Sequence, residues 1–277
     1  MILSSEVRVL SVEKYKILRA LNTKGTVFLA QDVDANRYVL KTLPSDSVSI
    51  YERIASLPSH SHSERVFGCF EQDEDTVAIC EYIEGITLCE ALESGHTFSL
   101  KQIKKMICDL CAAVEHLHKN SIIHRDINPN NIIVDDKRDI KLIDYGIARV
   151  YNGKKDNDTT IFGTEGYSAP EQYGFRETRF TADVYSIGMV LKLLLNSCED
   201  ASAAQEVYLR KIAARCTSFD PDRRYRSAGA VCLAVKRSGY MLPAAIGCAA
   251  IAFPVVFSLG VLSMTNDADM RIDNSVV

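Results

Sequence analysis

The sequence lacks a long block of basic residues, and its formal net charge is −4 at pH 7. Proteins that bind nucleic acid electrostatically carry clustered lysine and arginine, so nothing here favours a nucleic-acid partner. The nine cysteines are an odd number without the regular spacing of a disulfide framework. They are typical of free thiols in a reducing compartment. No internal repeat is apparent, and the length suits one domain with a large core.

One cysteine pair, Cys108 and Cys111, has the Cys-x-x-Cys spacing that also occurs in metal and redox sites. The pair lies in a helical pattern whose apolar residues recur on one face, among them Ile103, Ile107 and Leu110. Small residues on such a face are ordinarily packing residues. We therefore predict that both cysteines are buried in the core.

Charge is also missing from residues 238–266, which contain no Asp, Glu, Lys or Arg. Residues 242–264 are dominated by Ala, Ile, Val, Leu and Phe, and a membrane-spanning helix needs about 20 such residues. The alternative is a buried core helix, but a core helix seldom extends so far without a polar face. Pro254 would cost a soluble helix a hydrogen bond, whereas spanning helices tolerate proline. We predict a transmembrane helix at 241–264.

Flanking charge predicts the orientation of this helix. Several basic residues precede it, including Lys236 and Arg237, whereas Arg271 is the only one that follows it. This excess marks the N-terminal side as cytoplasmic. Residues 1–10 show no apolar core of a signal peptide. We expect a single-pass membrane protein with a cytoplasmic domain and a short extracytoplasmic tail at 265–277.

Two short segments in the middle of the chain carry the strongest chemical signal. Residues 124–131 read His-Arg-Asp-Ile-Asn-Pro-Asn-Asn, and residues 144–146 read Asp-Tyr-Gly. They supply an acid, Asp126, an amide, Asn131, and a second acid, Asp144. These are the parts that phosphoryl transfer needs, because one carboxylate accepts the proton of an attacking hydroxyl while the others hold divalent ions.

These segments resemble those of eukaryotic-type (Hanks-type) serine/threonine protein kinases, and the resemblance covers residues 15–235. Further matches follow in the family's order. Residues 25–30 resemble the nucleotide-covering loop, 38–41 the strand that bears a lysine, and 80–85 the hinge between the lobes. Residues 163–171 resemble the substrate-facing segment, 183–188 a buried helix that braces the catalytic loop, and 220–224 a segment that carries an arginine. In the last of these, Arg224 is expected to pair with Glu171. The short domain and its predicted anchor are similar to bacterial members of the family.

The resemblance implies an α+β, bilobal kinase domain at 1–237. A small antiparallel β-sheet lobe would occupy about 1–80, and a larger helical lobe would occupy about 84–237. A single transmembrane helix would follow this domain.

Local patterns agree with this fold. Ser99 and Gln102 predict a capping box at the start of a long amphipathic helix that ends at Lys119. Residues 132–134 and 140–143 predict a hairpin that delivers the second acid to the cleft.

The resemblance also implies roles for the matching polar residues. Asp126 would be the catalytic base, which needs hydrogen-bond reach to the substrate hydroxyl. Asn131 and Asp144 would bind Mg²⁺, or Mn²⁺, since hard oxygen donors in small number suit such an ion. Lys41 would hold the α- and β-phosphates of ATP, with Glu52 from the small-lobe helix as its partner.

The assignment of Glu52 has an alternative, because the segment from Lys41 to Glu52 is shorter than in the family and contains Pro44. Glu64 is the second choice for this partner. The residues expected to contact the nucleotide are Ala20, Asn22, Gly25, Val27, Lys41, Glu52, Glu81 and Ile83.

The chain departs from the family pattern at two places in the site. Of the three glycines of the nucleotide-covering loop only Gly25 is present, with Ala20 and Asn22 at the other positions. Asn128 stands among the catalytic residues where the family usually has a lysine that contacts the transferred phosphate. An amide supplies no charge, so some electrostatic stabilisation of the transition state should be lost.

Arg125 suggests control by phosphorylation, because a phosphate on the activation segment can pair with this arginine in members that have it. Thr159 and Thr160 are candidate phosphorylation sites, with ordinary loop threonines as the alternative. Thr164 is expected to be structural, with its hydroxyl bridging toward Asp126 and Asn128.

The leading functional prediction is a membrane-anchored serine/threonine protein kinase that acts on protein substrates and phosphorylates itself. The alternatives are a pseudokinase that serves as a membrane-tethered nucleotide-binding or scaffold module, and a small-molecule kinase of related fold. Small residues at Ala244, Cys248 and Ala252 suggest a helix contact that could support a homodimer.

Overall fold

The computed structural model describes residues 14–72, 75–152, 163–174, 178–199 and 203–238. The chain divides into two units, Met1–Val235 and Lys236–Val277, of which the second is described only at residues 236–238. Across the described ranges, no helix combines the length and the apolar character needed to cross a bilayer.

Several sequence predictions fall outside the described residues. They are the transmembrane helix, the tail, the helix-contact residues and the two candidate phosphorylation sites: 241–264, 265–277, Ala244, Cys248, Ala252, Thr159 and Thr160.

The small lobe is a five-stranded antiparallel sheet in the order β1-β2-β3-β5-β4. Its strands are β1 Lys16–Ala20, β2 Val27–Gln31, β3 Arg37–Leu43, β4 Val66–Gln72 and β5 Asp75–Glu81. Side chains of β3 alternate between the two faces of the sheet. Leu40 packs in a small outer cluster, whereas Val39 and Leu43 belong to the main core. Lys41 lies between them in sequence and shares their face, where it is buried.

Helix α1, Val48–Ala55, packs against the sheet beside β4. It buries Ile50, Tyr51 and Ile54, whose spacing places them on one face of a helix. Glu52 lies outside this face and is exposed. The helix therefore presents a tyrosine to the interior.

The large lobe is mainly helical, with α2 Leu88–Glu93, α3 Leu100–Lys119, α4 Phe180–Asn196, α5 Ala203–Cys216 and α6 Ala228–Arg237. The predicted capping box of α3 is confirmed, since Gln102 N donates to Ser99 Oγ and Ser99 N donates to Gln102 Oε1. On α3, Cys111 is buried as predicted, whereas Cys108 is only partly buried. A sheet lobe followed by a helical lobe confirms the α+β class.

The large lobe also contains short strands: β6 Ile86–Thr87, β7 Ile122–Ile123, β8 Ile132–Val134, β9 Ile140–Leu142 and β10 Arg149–Val150. Strands β8 and β9 form the predicted hairpin. Leu142 of β9 forms a parallel bridge with Ser63, and its N–H donates to His62 O at 2.9 Å. The segment that enters β4 is thereby fixed to the strand that leads to Asp144.

Helices α4 and α5 approach closely at Gly188, where a Cβ would lie 2.4 Å from Cys216 Cβ. We predict that Gly188→Ala lowers the free energy of unfolding by about 1–3 kcal/mol, because the added methyl group must push the helices apart. Urea denaturation of the full chain measures this change. Gly229→Ala on α6 is the control, since its nearest neighbour is the flexible Glu115 carboxylate at 3.3 Å. Equal stability of Gly188→Ala and wild type would contradict the prediction.

Candidate active site

Asp126 lies in the loop between β7 and β8, and both of its carboxylate oxygens accept hydrogen bonds. Oδ1 accepts from Thr164 Oγ1 at 2.7 Å and from Asn128 Nδ2 at 3.0 Å. Oδ2 accepts from Asn131 Nδ2 at 2.8 Å. The residue remains partly exposed. Asp126 is thus an oriented carboxylate within reach of solvent, as a general base requires.

Asn128 is buried and uses both ends of its amide. Its Nδ2 donates to Asp126 and, at 3.0 Å, to Thr164 Oγ1. Its Oδ1 accepts from Asn130 N at 2.9 Å and begins the 3-10 turn Pro129–Asn131. The predicted bridge from Thr164 to Asp126 and Asn128 is confirmed. Asn128 therefore orients the carboxylate through hydrogen bonds and adds no charge.

Asp183 of α4 anchors the same loop from the protein interior. Its Oδ1 accepts from Arg125 N at 2.8 Å, and its Oδ2 accepts from His124 N at 2.9 Å. His118 Nε2 lies 2.7 Å from the same Oδ2. Burial alone would raise the pKa of Asp183, but the hydrogen bond and charge of His118, with His124, lower it below its ordinary value. The predicted bracing of the loop by α4 is confirmed.

This depressed pKa predicts a pH-dependent stability. The ionised Asp183 carboxylate stabilises the fold above the ordinary Asp pKa of about 4, and the contribution is lost as the pH falls through the lower folded-state pKa. We expect Asp183→Asn to have a lower free energy of unfolding than wild type at neutral pH. This gap in free energy between the variant and wild type should become smaller between about pH 5 and pH 3. Urea denaturation at stepped pH measures the gap, with Asp222→Asn, an exposed site, as control. A gap independent of pH would contradict the prediction.

Lys41 and Glu64 form a buried ion pair in the cleft. Lys41 Nζ lies 3.0 Å from Glu64 Oε2 and 3.7 Å from Asp144 Oδ1. Burial alone would lower the pKa of Lys41, but Glu64, with smaller contributions that include Asp144, raises it well above its ordinary value. The ammonium therefore stays charged and can bind phosphate oxygens.

The prediction that Glu52 pairs with Lys41 is wrong, and the second choice, Glu64, takes that position. Glu52 lies on the exposed side of α1. Glu64 comes from the segment before β4, where its N–H donates to Leu142 O at 2.8 Å and its carbonyl accepts from Tyr145 Oη at 2.8 Å. The partner of Lys41 is therefore attached to the β9 side of the cleft and not to α1.

Asn131 and Asp144 offer hard oxygen donors to a divalent ion. Backbone pairing joins their segments, since Ile143 N donates to Asn131 O at 2.9 Å. Burial alone would raise the pKa of Asp144, but Lys41 and a hydrogen bond from Tyr51 keep it below its ordinary value. An ionised carboxylate and an amide carbonyl fit Mg²⁺, which keeps several waters and needs few protein ligands.

Two residues beside these groups have left-handed backbone conformations. Arg125 has φ 70° and Asp144 has φ 68°, values that non-glycine residues rarely adopt. Such conformations persist where the surroundings fix them. Here the N–H of Arg125 is held by Asp183, and the N–H of Asp144 donates to Glu64 Oε2 at 3.2 Å.

The expected nucleotide-covering loop is a tight turn between β1 and β2. Ala20 ends β1, Val27 begins β2, and Gly25 between them has φ 66°. Asn22 Oδ1 accepts from Thr26 N at 3.0 Å and from Val27 N at 3.2 Å. The Asn22 side chain thus stabilises a fixed turn where a glycine would leave the chain free.

The expected hinge, residues 80–85, begins at the end of β5. Glu81 pairs its side chain with Lys141 and accepts a hydrogen bond from Arg65 N at 3.3 Å. The backbone N–H of Glu81 is engaged as well, since it donates to Arg65 O at 2.8 Å. Gly85 comes next, and a Cβ there would lie 2.4 Å from Val134 O. The hinge therefore packs directly on β8.

The residues of this cleft lie within a segment that matches a known protein family. The family model described as protein kinase domain matches residues 23–231. The chain belongs to the protein kinase family.

Similar proteins carry this kinase domain within longer chains. Serine/threonine-protein kinase PrkC of Bacillus subtilis is 30% identical over 220 residues, which cover 74% of this chain and 34% of that protein. Serine/threonine-protein kinase D of Synechocystis sp. is 27% identical over 263 residues, which cover 79% of this chain and 51% of that protein. cAMP-dependent protein kinase type 3 of Saccharomyces cerevisiae is 30% identical over 197 residues, with 67% and 49% covered. The chain spans about a third to a half of the length of these relatives.

Residues 163–171, which resemble the family's substrate-facing segment, end in a buried ion pair. Arg224 Nη1 lies 2.6 Å from Glu171 Oε1, and Nη2 lies 2.8 Å from Oε2. The predicted pairing of these residues is confirmed. At the start of the segment, Gly163 has φ 117°, and a Cβ there would lie 2.0 Å from Ser168 Oγ.

Sequence reasoning missed two residues of this kinase site. Tyr51 could have been found from helical spacing, because it lies three residues before Ile54 on the face that also holds Ile50. The same spacing places Glu52 outside that face. His118 carried no comparable signal, since its contact with Asp183 joins residues 65 positions apart.

Proposed function

We propose that the chain is a serine/threonine protein kinase that transfers the γ-phosphate of ATP to hydroxyl groups of proteins. The observation that carries the proposal is the orientation of Asp126 by Thr164, Asn128 and Asn131. A backbone bond joins Asn131 to Ile143, the neighbour of Asp144, and Asp144 Oδ1 lies 3.7 Å from the charged Lys41 Nζ. Asp126 accepts the proton of the attacking hydroxyl. Lys41 binds the α- and β-phosphates.

A divalent ion would be held by Asn131 and Asp144. When bound, it would neutralise charge on the phosphates during transfer. The identity of the ion, Mg²⁺ or Mn²⁺, is part of the proposal, and hard oxygen donors suit both.

Serine and threonine are the proposed acceptors on proteins. The relatives from Bacillus subtilis and Synechocystis sp. bear the name serine/threonine-protein kinase. The segment 163–171, which resembles the family's substrate-facing segment, supports a polypeptide acceptor over a small molecule. We also propose that the kinase phosphorylates itself, with Thr159 and Thr160 as candidate sites.

The test is phosphate transfer by the full chain in detergent, with labelled ATP, Mg²⁺ and a generic acceptor protein. We expect label on serine and threonine of the acceptor and of the chain itself, and mass spectrometry locates the modified residues. Binding of nucleotide without any transfer would reject the proposal in favour of the pseudokinase. Label on tyrosine alone would reject the proposed acceptor specificity.

We further propose that residues 241–264 anchor the kinase domain in a membrane, with the domain on the cytoplasmic side. The support is the uncharged run at 238–266 and the excess of basic residues before it. Alkaline extraction of membranes from cells that express the full chain tests this proposal. Release of the protein into the soluble fraction would reject it.

A further inference from the structure

Tyr51 links helix α1 directly to the second acid of the site. Its side chain is buried, and its Oη lies 3.0 Å from Asp144 Oδ1, to which it donates. The same Oη accepts from Tyr145 N at 3.3 Å. The Tyr51 ring also packs edge-to-face on Tyr145, with centroids 5.9 Å apart. Two hydrogen bonds and a ring contact therefore fix the hydroxyl beside the carboxylate.

The position of the acidic residues around Lys41 shows how helix α1 contributes to the site. Lys41 takes its carboxylate partner, Glu64, from a segment fixed to β9. The glutamate of α1, Glu52, is exposed. Helix α1 therefore contacts the site by a hydrogen bond to the metal-binding carboxylate, and it does not supply the carboxylate that pairs with the lysine.

We infer that Tyr51 is a positioning residue that orients the Asp144 carboxylate for a divalent ion. The inference rests on the proposed function in that it needs a metal–nucleotide complex in the cleft. Asp144 Oδ1 accepts from Tyr51 and, at 3.3 Å, from Gly146 N, and these donors would hold the carboxylate in one orientation for the ion.

Other metal sites indicate how much metal affinity should be lost when the Tyr51 hydroxyl is removed. Outer hydrogen bonds that orient a ligating carboxylate typically change metal affinity or activity by about 10–100-fold when they are removed. Tyr51→Phe removes the hydroxyl and keeps the ring that packs on Tyr145. The variant should therefore fold, while its Asp144 carboxylate loses one of its orienting donors.

The experiment measures the affinity of the full chain for a fluorescent ATP analogue, once with EDTA and once with Mg²⁺. We expect Tyr51→Phe to bind the metal-free nucleotide as wild type does, and to lose about tenfold of the affinity gained with Mg²⁺. The Mg²⁺ concentration for half-maximal transfer should rise by a similar factor. Tyr38→Phe is the matched control, because its hydroxyl donates to Asp32 Oδ2 at 3.2 Å away from the cleft.

The outcomes separate this inference from the proposed function. An unchanged gain with Mg²⁺ in Tyr51→Phe would overturn the inference, as would an equal loss with and without the ion, which marks a merely structural residue. A wild type without any gain from Mg²⁺ would overturn it too. If wild type binds Mg²⁺–nucleotide but transfers no phosphate, the proposed function fails, and the selective loss in Tyr51→Phe still supports the inference.

Discussion

Asp126→Asn should reduce the rate constant of phosphate transfer by about 10²–10⁴-fold, which is the usual contribution of a general base. The amide keeps the size of the carboxylate but cannot accept the proton of the attacking hydroxyl. The new NH₂ group would also face hydrogen-bond donors, either Thr164 and Asn128 at the Oδ1 position or Asn131 at the Oδ2 position. Single-turnover transfer with saturating Mg²⁺ and ATP measures the rate constant of the chemical step directly.

Nucleotide affinity provides the control for this variant. Asp126 takes no part in the ion pair of Lys41 with Glu64, so the Kd for Mg²⁺–ATP should stay close to that of wild type. Asp222→Asn, at an exposed site, should leave both quantities unchanged. A transfer rate in Asp126→Asn within a few fold of wild type would refute the role of this residue as base.

Glu64→Ala should abolish transfer and also destabilise the fold. Removal of one partner from a buried ion pair leaves an uncompensated charge, here the Lys41 ammonium, and typically costs about 3–5 kcal/mol. The N–H of Asp144 would lose its acceptor as well. Urea denaturation measures the stability, and labelled ATP measures the transfer. The matched control is Glu52→Ala, an exposed change that should stay within about 0.5 kcal/mol of wild type.

A double variant separates the structural part of this effect from the catalytic part. Lys41→Met with Glu64→Leu replaces both charges by apolar groups, and such replacements of buried pairs are often neutral or stabilising. We expect the double variant to be more stable than Glu64→Ala and still inactive. If Glu52→Ala proved the damaging change and Glu64→Ala behaved as wild type, the pairing described for Lys41 would be refuted.

The sequence by itself determined those features whose residues lie close together or follow the family's order. The Asp126 and Asn131 pair lies within one short loop, and the resemblance of that loop and its neighbouring segments to the kinase family predicts the shared site. The capping box at Ser99 and Gln102 is likewise a local pattern, because both partners belong to one helical turn. These features needed no knowledge of how distant segments pack.

Only the tertiary structure decided which acid serves Lys41. Glu52 and Glu64 have the same chemistry, and the choice between them depends on which one packing carries to a lysine on another strand. Glu64 lies 23 positions from Lys41, and its backbone bond to Leu142 brings it there. The position of Tyr51 against Asp144, 93 residues apart, has the same origin. Such contacts depend on the docking of α1 and of the segment before β4, which no local pattern specifies.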